Sequence, residues 1–174
     1  MKKTMFNLSL FALLIMSIFT LSGCEKKFTT VSYTDEKSKV SISIGYPDNL
    51  PCNFSTDSKD FRTSAENAIL ISDNFKIALD IVSRSFKGDF EKEAKQEGLN
   101  RIDGKEVTFN NLSGVSFYYA PYNRYNVRLP INDKCYLEIH IYSTKTEYKK
   151  EFAEEVFNSE EVKEILNTVE IRSN

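Results

Sequence analysis

The chain has 174 residues, with 23 Lys and Arg against 25 Asp and Glu, one His, three Cys and no Trp, for a formal net charge of −2 at pH 7. That length suits one domain with a genuine core. The balanced charge includes no basic block, which argues against nucleic acid and anionic lipid headgroups as partners.

Met1-Lys2-Lys3 is positively charged, and Leu8 to Phe19 is apolar apart from Ser9 and Ser17. This is the layout of a cleaved signal peptide spanning residues 1–23. A retained transmembrane helix would have to use Met5 to Leu21, 17 residues at the short edge of spanning length. The small residues Ser22-Gly23 stand where cleavage belongs. The stretch Leu21-Ser22-Gly23-Cys24 resembles the lipobox of bacterial lipoproteins. That resemblance implies that Cys24 carries a diacylglyceryl thioether, often with a further acyl group such as palmitate on its amine. Two or more acyl chains anchor a protein stably in a bilayer, whereas one holds it marginally. It also implies export, either to the outer face of the cytoplasmic membrane or to the outer membrane. Glu25 follows the cysteine, so the aspartate that marks inner-membrane retention in some lipoproteins is absent.

The mature chain is then Cys24 to Asn174, 151 residues with a side-chain balance of −4. Two thiols remain, Cys52 and Cys135. An exported compartment permits a disulfide between them, which would contribute ~2–4 kcal/mol by closing a long loop. The alternative is two unpaired cysteines, since spacing alone does not bring them together. The chain has no Cys-x-x-Cys, which argues against a redox role.

Residues 24–38 read as a tether with alternating apolar positions at Phe28, Val31 and Tyr33, so it could end in a first strand. Residues 39–174 read as one domain. Val40, Ile42, Ile44 and Tyr46 alternate with polar or small residues and predict a strand that Pro47 stops. Asp48 to Thr63 is long and polar for a loop, so it is either functional or conceals a short helix. Ala68 to Ile71 and Phe75 to Ile81 predict a hairpin around Ser72-Asp73-Asn74. Asp89 suits the N-cap of a helix from Phe90 to Glu97, with Gly98 as its C-cap and Phe86 positioned to pack on it. Val107 and Phe109, a break at Asn110-Asn111, then Val115, Phe117 and Tyr119 form the next strands. Val127, Leu129 and Ile131, and then Cys135, Leu137, Ile139 and Ile141, complete an antiparallel meander expected at the centre of the sheet. Tyr148, Phe152 and Val156 mark a helix from about Glu147 to Val156. A last helix follows, capped by Asn158 or Ser159, with Val162, Ile165, Leu166 and Val169 on one face. With Asn158 as cap, Glu161 would complete a capping box. The fold class is α+β, an antiparallel sheet covered by helices.

The order of a strand ending in Tyr46-Pro47, a charged helix before Gly98, Leu112-Ser113-Gly114-Val115, a meander and the closing segment Phe157 to Leu166 resembles the PsbP/Mog1-like α/β/α sandwich lipoproteins. The tryptophan often found after Tyr-Pro in that group is replaced here by Asp48-Asn49-Leu50. The resemblance implies a binding or accessory role and carries over no catalytic residues.

Nothing in the chain spells a catalytic motif. His140 lies on the Tyr136, Glu138 and Tyr142 side of its strand and is expected to be partly exposed. It shares a face with Glu138, but two ligands without a third make a poor metal site, so neither metal nor cofactor is expected. The acidic residues of the helices (Glu91, Glu93, Glu97, Glu160, Glu161 and Glu164) stand among lysines at solvated-helix spacing. The strongest candidate for contact with a partner is an aromatic and basic patch of Tyr118, Tyr119, Tyr122, Arg124, Tyr125 and Arg128, residue types enriched at binding hot spots. The expectation is a non-catalytic, membrane-anchored binding or accessory lipoprotein whose partner is an envelope protein or glycan. A structural envelope-maintenance protein is the alternative, and a hydrolase a more distant one.

Overall fold

In the computed structural model, residues 26–61, 66–84, 101–145 and 147–173 are described. The expected signal segment, the expected lipobox and the expected helix from Phe90 to Glu97 lie outside them. Alternation of apolar side chains organises nearly everything else. Strand β1 (Phe28–Asp35) pairs antiparallel along its whole length with β2 (Val40–Pro47), from Phe28 opposite Pro47 to Asp35 opposite Val40. Most of the segment expected as tether is therefore strand. Val40, Ile42 and Ile44 point from β2 into the core. The last strand, β10 (Glu170–Ser173), closes a three-stranded sheet in the order β1-β2-β10.

The second sheet has seven antiparallel strands in the order β3-β4-β5-β9-β8-β7-β6. The loop after Pro47 holds the short β3 (Cys52–Ser55) and a 3-10 turn at Ser58–Asp60, which Asp57 caps by accepting from the Lys59 backbone. Strands β4 (Ala68–Ser72) and β5 (Phe75–Val82) form the expected hairpin, with Ser72 Oγ accepting from the Phe75 amide at 3.1 Å. The meander is β6 (Arg101–Phe109), β7 (Leu112–Tyr119), β8 (Arg124–Asn132) and β9 (Cys135–Ser143). Asn110 and Asn111 turn β6 into β7 with φ of 45° and 66°, left-handed values that Asn tolerates and hairpin turns require. The meander runs from the sheet centre to one edge, and β9 is the central strand because β5 pairs with its free side.

Two helices form a layer over one face of this sheet, the first lying on β8 and β9 and the second on the first helix and on β2 of the smaller sheet. Helix α1 (Lys150–Asn158) begins three residues later than its periodicity suggests, and α2 (Glu160–Leu166) follows directly. Ser159, not Asn158, caps α2, its Oγ accepting from the Val162 amide at 3.3 Å. The expected capping box with Glu161 is therefore not formed. Asn158 instead closes α1, donating from Nδ2 to the Glu154 carbonyl. Ala153, Val156 and Phe157 of α1 and Val162, Ile165 and Leu166 of α2 join β2 against Leu70, Ile77, Leu79, Val127, Leu129, Leu137, Ile139 and Ile141. This layer is the hydrophobic core. The opposite sheet face carries a second, smaller apolar cluster of Ile69, Ala78 and Tyr142, and most of its other buried side chains are polar.

Candidate functional site

A residue on β9 shows one face to the helices and the next shows the other, so Leu137, Ile139 and Ile141 enter the core and Tyr136, Glu138, His140 and Tyr142 face away from it. That second face is buried as well. His140 is only 2 % exposed and Glu138 7 %. The expectation that His140 is partly exposed is thus corrected: polar alternation looks the same in sequence whether the polar side meets water or a buried network.

The network joins β8 and β9 to Glu66, which lies just before β4. Tyr142 Oη donates to Glu66 Oε1 at 2.6 Å and accepts a hydrogen bond from Arg124 Nη1. Arg124 Nε donates to Asn126 Oδ1 at 2.8 Å, and Asn126 Nδ2 to Glu138 Oε1 at 2.7 Å. Arg128 Nε donates to the same Glu138 oxygen at 3.0 Å. The Arg128 guanidinium also lies 5.2 Å from the Phe117 ring and 5.0 Å from the Tyr136 ring. Glu66, Arg124, Asn126, Arg128, Glu138 and Tyr142 are all buried. Taking so many charges out of water costs several kcal/mol per ion before pairing recovers it, so such a network is poor evidence of stability and needs another reason.

His140 sits at the centre of the network, close enough to two of its carboxylates to interact electrostatically but too far for a well-formed hydrogen bond. Neither ring nitrogen has a hydrogen-bond partner. Nδ1 is 3.5 Å from Glu66 Oε1 and Nε2 is 3.9 Å from Glu138 Oε2. Asp80 of β5 stands directly across from Glu138, and the small Ala78 stands across from His140. One ligand atom from each of Asp80, Glu138 and His140 falls within 4.8 Å of the others. The structure therefore brings a third side chain of metal-ligating type, Asp80, beside Glu138 and His140, which the sequence pattern does not show.

The two carboxyls titrate in opposite directions. Burial pushes Asp80 up to about 6, with Glu138 and Glu66 adding to the effect and His140 and Arg124 opposing it. Burial works against ionised Glu138 too, but His140 and the Arg128 guanidinium outweigh it and hold that carboxyl well below the usual range. Tyr142 is pushed above the ordinary phenol range by burial and by Glu66, against the pull of Arg124.

The expected aromatic and basic patch is not one surface. Tyr118 and Tyr125 turn to the helix side and are buried, and Tyr125 stacks on Phe157 at 4.5 Å with the rings parallel. Tyr118 Oη donates to Asn123 Oδ1 at 2.8 Å. Arg124 and Arg128 belong to the buried network on the other face. Only Tyr119 and Tyr122 remain near the surface. They stack at 5.7 Å over the Arg124 guanidinium, which lies 4.9 Å from the Tyr122 ring and 5.5 Å from the Tyr119 ring. Tyr122 is 44 % exposed.

Cys52 and Cys135 are both free thiols. Cys52 pairs with Ser72 beside the β4–β5 turn, while Cys135 starts β9 at the end where Val82 meets Tyr136. A strand advances about 3.4 Å per residue, so the length of β9 separates them by far more than a disulfide spans.

Among the described residues no helix is long and apolar enough to cross a membrane. Searches against protein-family models, curated proteins and solved structures return no match to this chain. The fold itself defines an α+β protein with two antiparallel sheets and a helical layer near its C-terminus.

Proposed function

We propose that this chain is an exported lipoprotein, tethered to the bilayer through acylated Cys24, whose domain is a non-catalytic binding or accessory module of the PsbP/Mog1-like sandwich type. The lipobox at Leu21 to Cys24 supports the anchor. The observation that carries the binding role is the Tyr119–Tyr122 stack over Arg124. Tyr122 presents nearly half of its surface to solvent, yet its ring is backed on one side by a tyrosine and braced by a guanidinium that is itself fixed by Asn126 and Tyr142. An aromatic side chain held in place before contact loses little conformational entropy on binding, which suits a hot-spot anchor. The partner we favour is an envelope protein.

The test is in-cell photo-cross-linking of the full-length lipoprotein with the probe beside Tyr122. A discrete adduct that disappears in Tyr122→Ala, with abundance and membrane fraction unchanged, supports the proposal. Equal capture by wild type and variant contradicts it, as does retention of a Cys24→Ala chain in the membrane fraction. Capture of glycan and not protein would reassign the partner class.

A further inference from the structure

We propose that Asp80, Glu138 and His140 form a binding site for one divalent transition-metal ion, with Zn2+ the best match to the donor set. The register makes the site. Asp80 and Glu138 are direct cross-strand partners on β5 and β9, and His140 is the next residue along β9 on the same face. Opposed like charges on a sheet repel, more so when buried, and here the register that pairs Ile77 with Ile141 and Leu79 with Ile139 in the core holds these two carboxyls opposite each other. A cation between them removes the conflict.

The orphaned imidazole points to the same place. A histidine whose two nitrogens are both buried and unpartnered leaves a donor and an acceptor unsatisfied, at about 1–3 kcal/mol each. A metal on Nε2 would use the acceptor. Nδ1–H would then face Glu66 Oε1, 3.5 Å away, and a small rotation would make the carboxylate–histidine–metal relay that orients ligating histidines in zinc sites. Glu138 is arranged to match. Its Oε1 is held by Asn126 and Arg128, while Oε2 is the oxygen turned towards His140. Zinc bonds near 2.0–2.2 Å place tetrahedral donors roughly 3.3 Å apart. The present donors lie within 4.8 Å of one another, so side-chain shifts of about 1 Å close the site. Among the described residues the buried part of this face holds three carboxylates, Glu66, Asp80 and Glu138, and two guanidiniums, Arg124 and Arg128, while a third guanidinium, that of Arg84, lies farther off over the Tyr136 ring. One imidazole and two carboxylates favour zinc over Ca2+, which takes six to eight oxygens.

The experiment uses the full chain in detergent, stripped with chelator and titrated calorimetrically with Zn2+, and with Ca2+ in parallel. The expected result is one Zn2+ per chain in wild type with no Ca2+ response, and at least 100-fold weaker Zn2+ binding in Asp80→Asn and in His140→Gln. Absence of Zn2+ binding by wild type overturns the proposal, as does unchanged affinity in both variants. Should either variant fail to fold by circular dichroism, X-ray absorption on zinc-loaded wild type decides. Nitrogen and oxygen ligands near 2.0–2.2 Å with one imidazole support the site. Sulfur ligation from a cysteine, or a shell without imidazole, rules it out.

Discussion

Asp80 and Glu138 face each other across β5 and β9 as two buried carboxyl groups on a sheet face that also holds His140. The arrangement separates their titration, since Glu138 is stabilised as the anion by His140 and Arg128 while Asp80 bears the cost of burial. Much of what distinguishes this molecule follows from that asymmetry.

The first consequence concerns Asp80→Asn. Asp80 has a folded-state value near 6 against an ordinary 3.8, so the native state binds more protons than the unfolded one between those limits. Stability contributed by this group therefore falls as pH rises from about 4 to above 6. In chelated buffer the variant is expected to match wild type near pH 4 and to exceed it by about 1–2 kcal/mol at pH 7, after allowance for partial solvation. Urea unfolding at both pH values checks it. A variant that is less stable at pH 7 would show that Asp80 has a favourable partner instead.

Arg124→Ala is expected to behave very differently from Tyr122→Ala. Removing the guanidinium leaves Asn126, Tyr142 and the nearby Glu66 short of a buried partner, at about 3–5 kcal/mol. Tyr122, half exposed, is expected to cost under about 1 kcal/mol. Denaturation midpoints of the two variants separate a structural arginine from a surface tyrosine, which is why Tyr122 alone serves as the binding probe.

Much of the architecture is legible in the sequence because period-two alternation is unambiguous from Val40 to Ile44, Phe75 to Ile81 and Cys135 to Ile141. The C-terminal helices are legible through Val162, Ile165 and Leu166, which fill the core. The site is not. Arg124, Asn126 and Arg128 alternate with Tyr125, Val127 and Leu129, just as residues of a solvated strand face would, and alternation does not report what lies above that face. The neighbour relation of Asp80 and Glu138 depends on β5 pairing with β9, two strands 58 positions apart at those residues, and no local pattern encodes it. The aromatic cluster misleads for the opposite reason. Residues close in sequence on β7 and β8 point to opposite faces, so Tyr118 and Tyr119 part company, as do Arg124 and Tyr125.

Gly114 shows how tightly β7 lies on β8. A Cβ there would come within 2.0 Å of the Arg128 carbonyl oxygen and 2.8 Å of Leu129 Cδ2. The backbone oxygen has no room to yield, so Gly114→Ala is expected to cost the upper end of ~1–3 kcal/mol or more. Hydrogen exchange should show the loss first in the β7–β8 amides.

With both thiols free, reductant is expected to leave the melting temperature of the full chain unchanged. Burial pushes the Cys52 thiol up to about 11, so it should alkylate at pH 7 more slowly than free cysteine. A reductant-sensitive melting temperature would indicate a disulfide after all.

The most direct measurement is a crystal structure of the protein grown with Zn2+, with anomalous data collected on both sides of the zinc edge. The account predicts one strong peak bounded by Asp80, Glu138 Oε2 and His140 Nε2, with bonds near 2.0–2.2 Å and the Glu66 carboxylate turned to His140 Nδ1. A map with no anomalous density at these three side chains, in crystals where zinc has reached other sites, would contradict it.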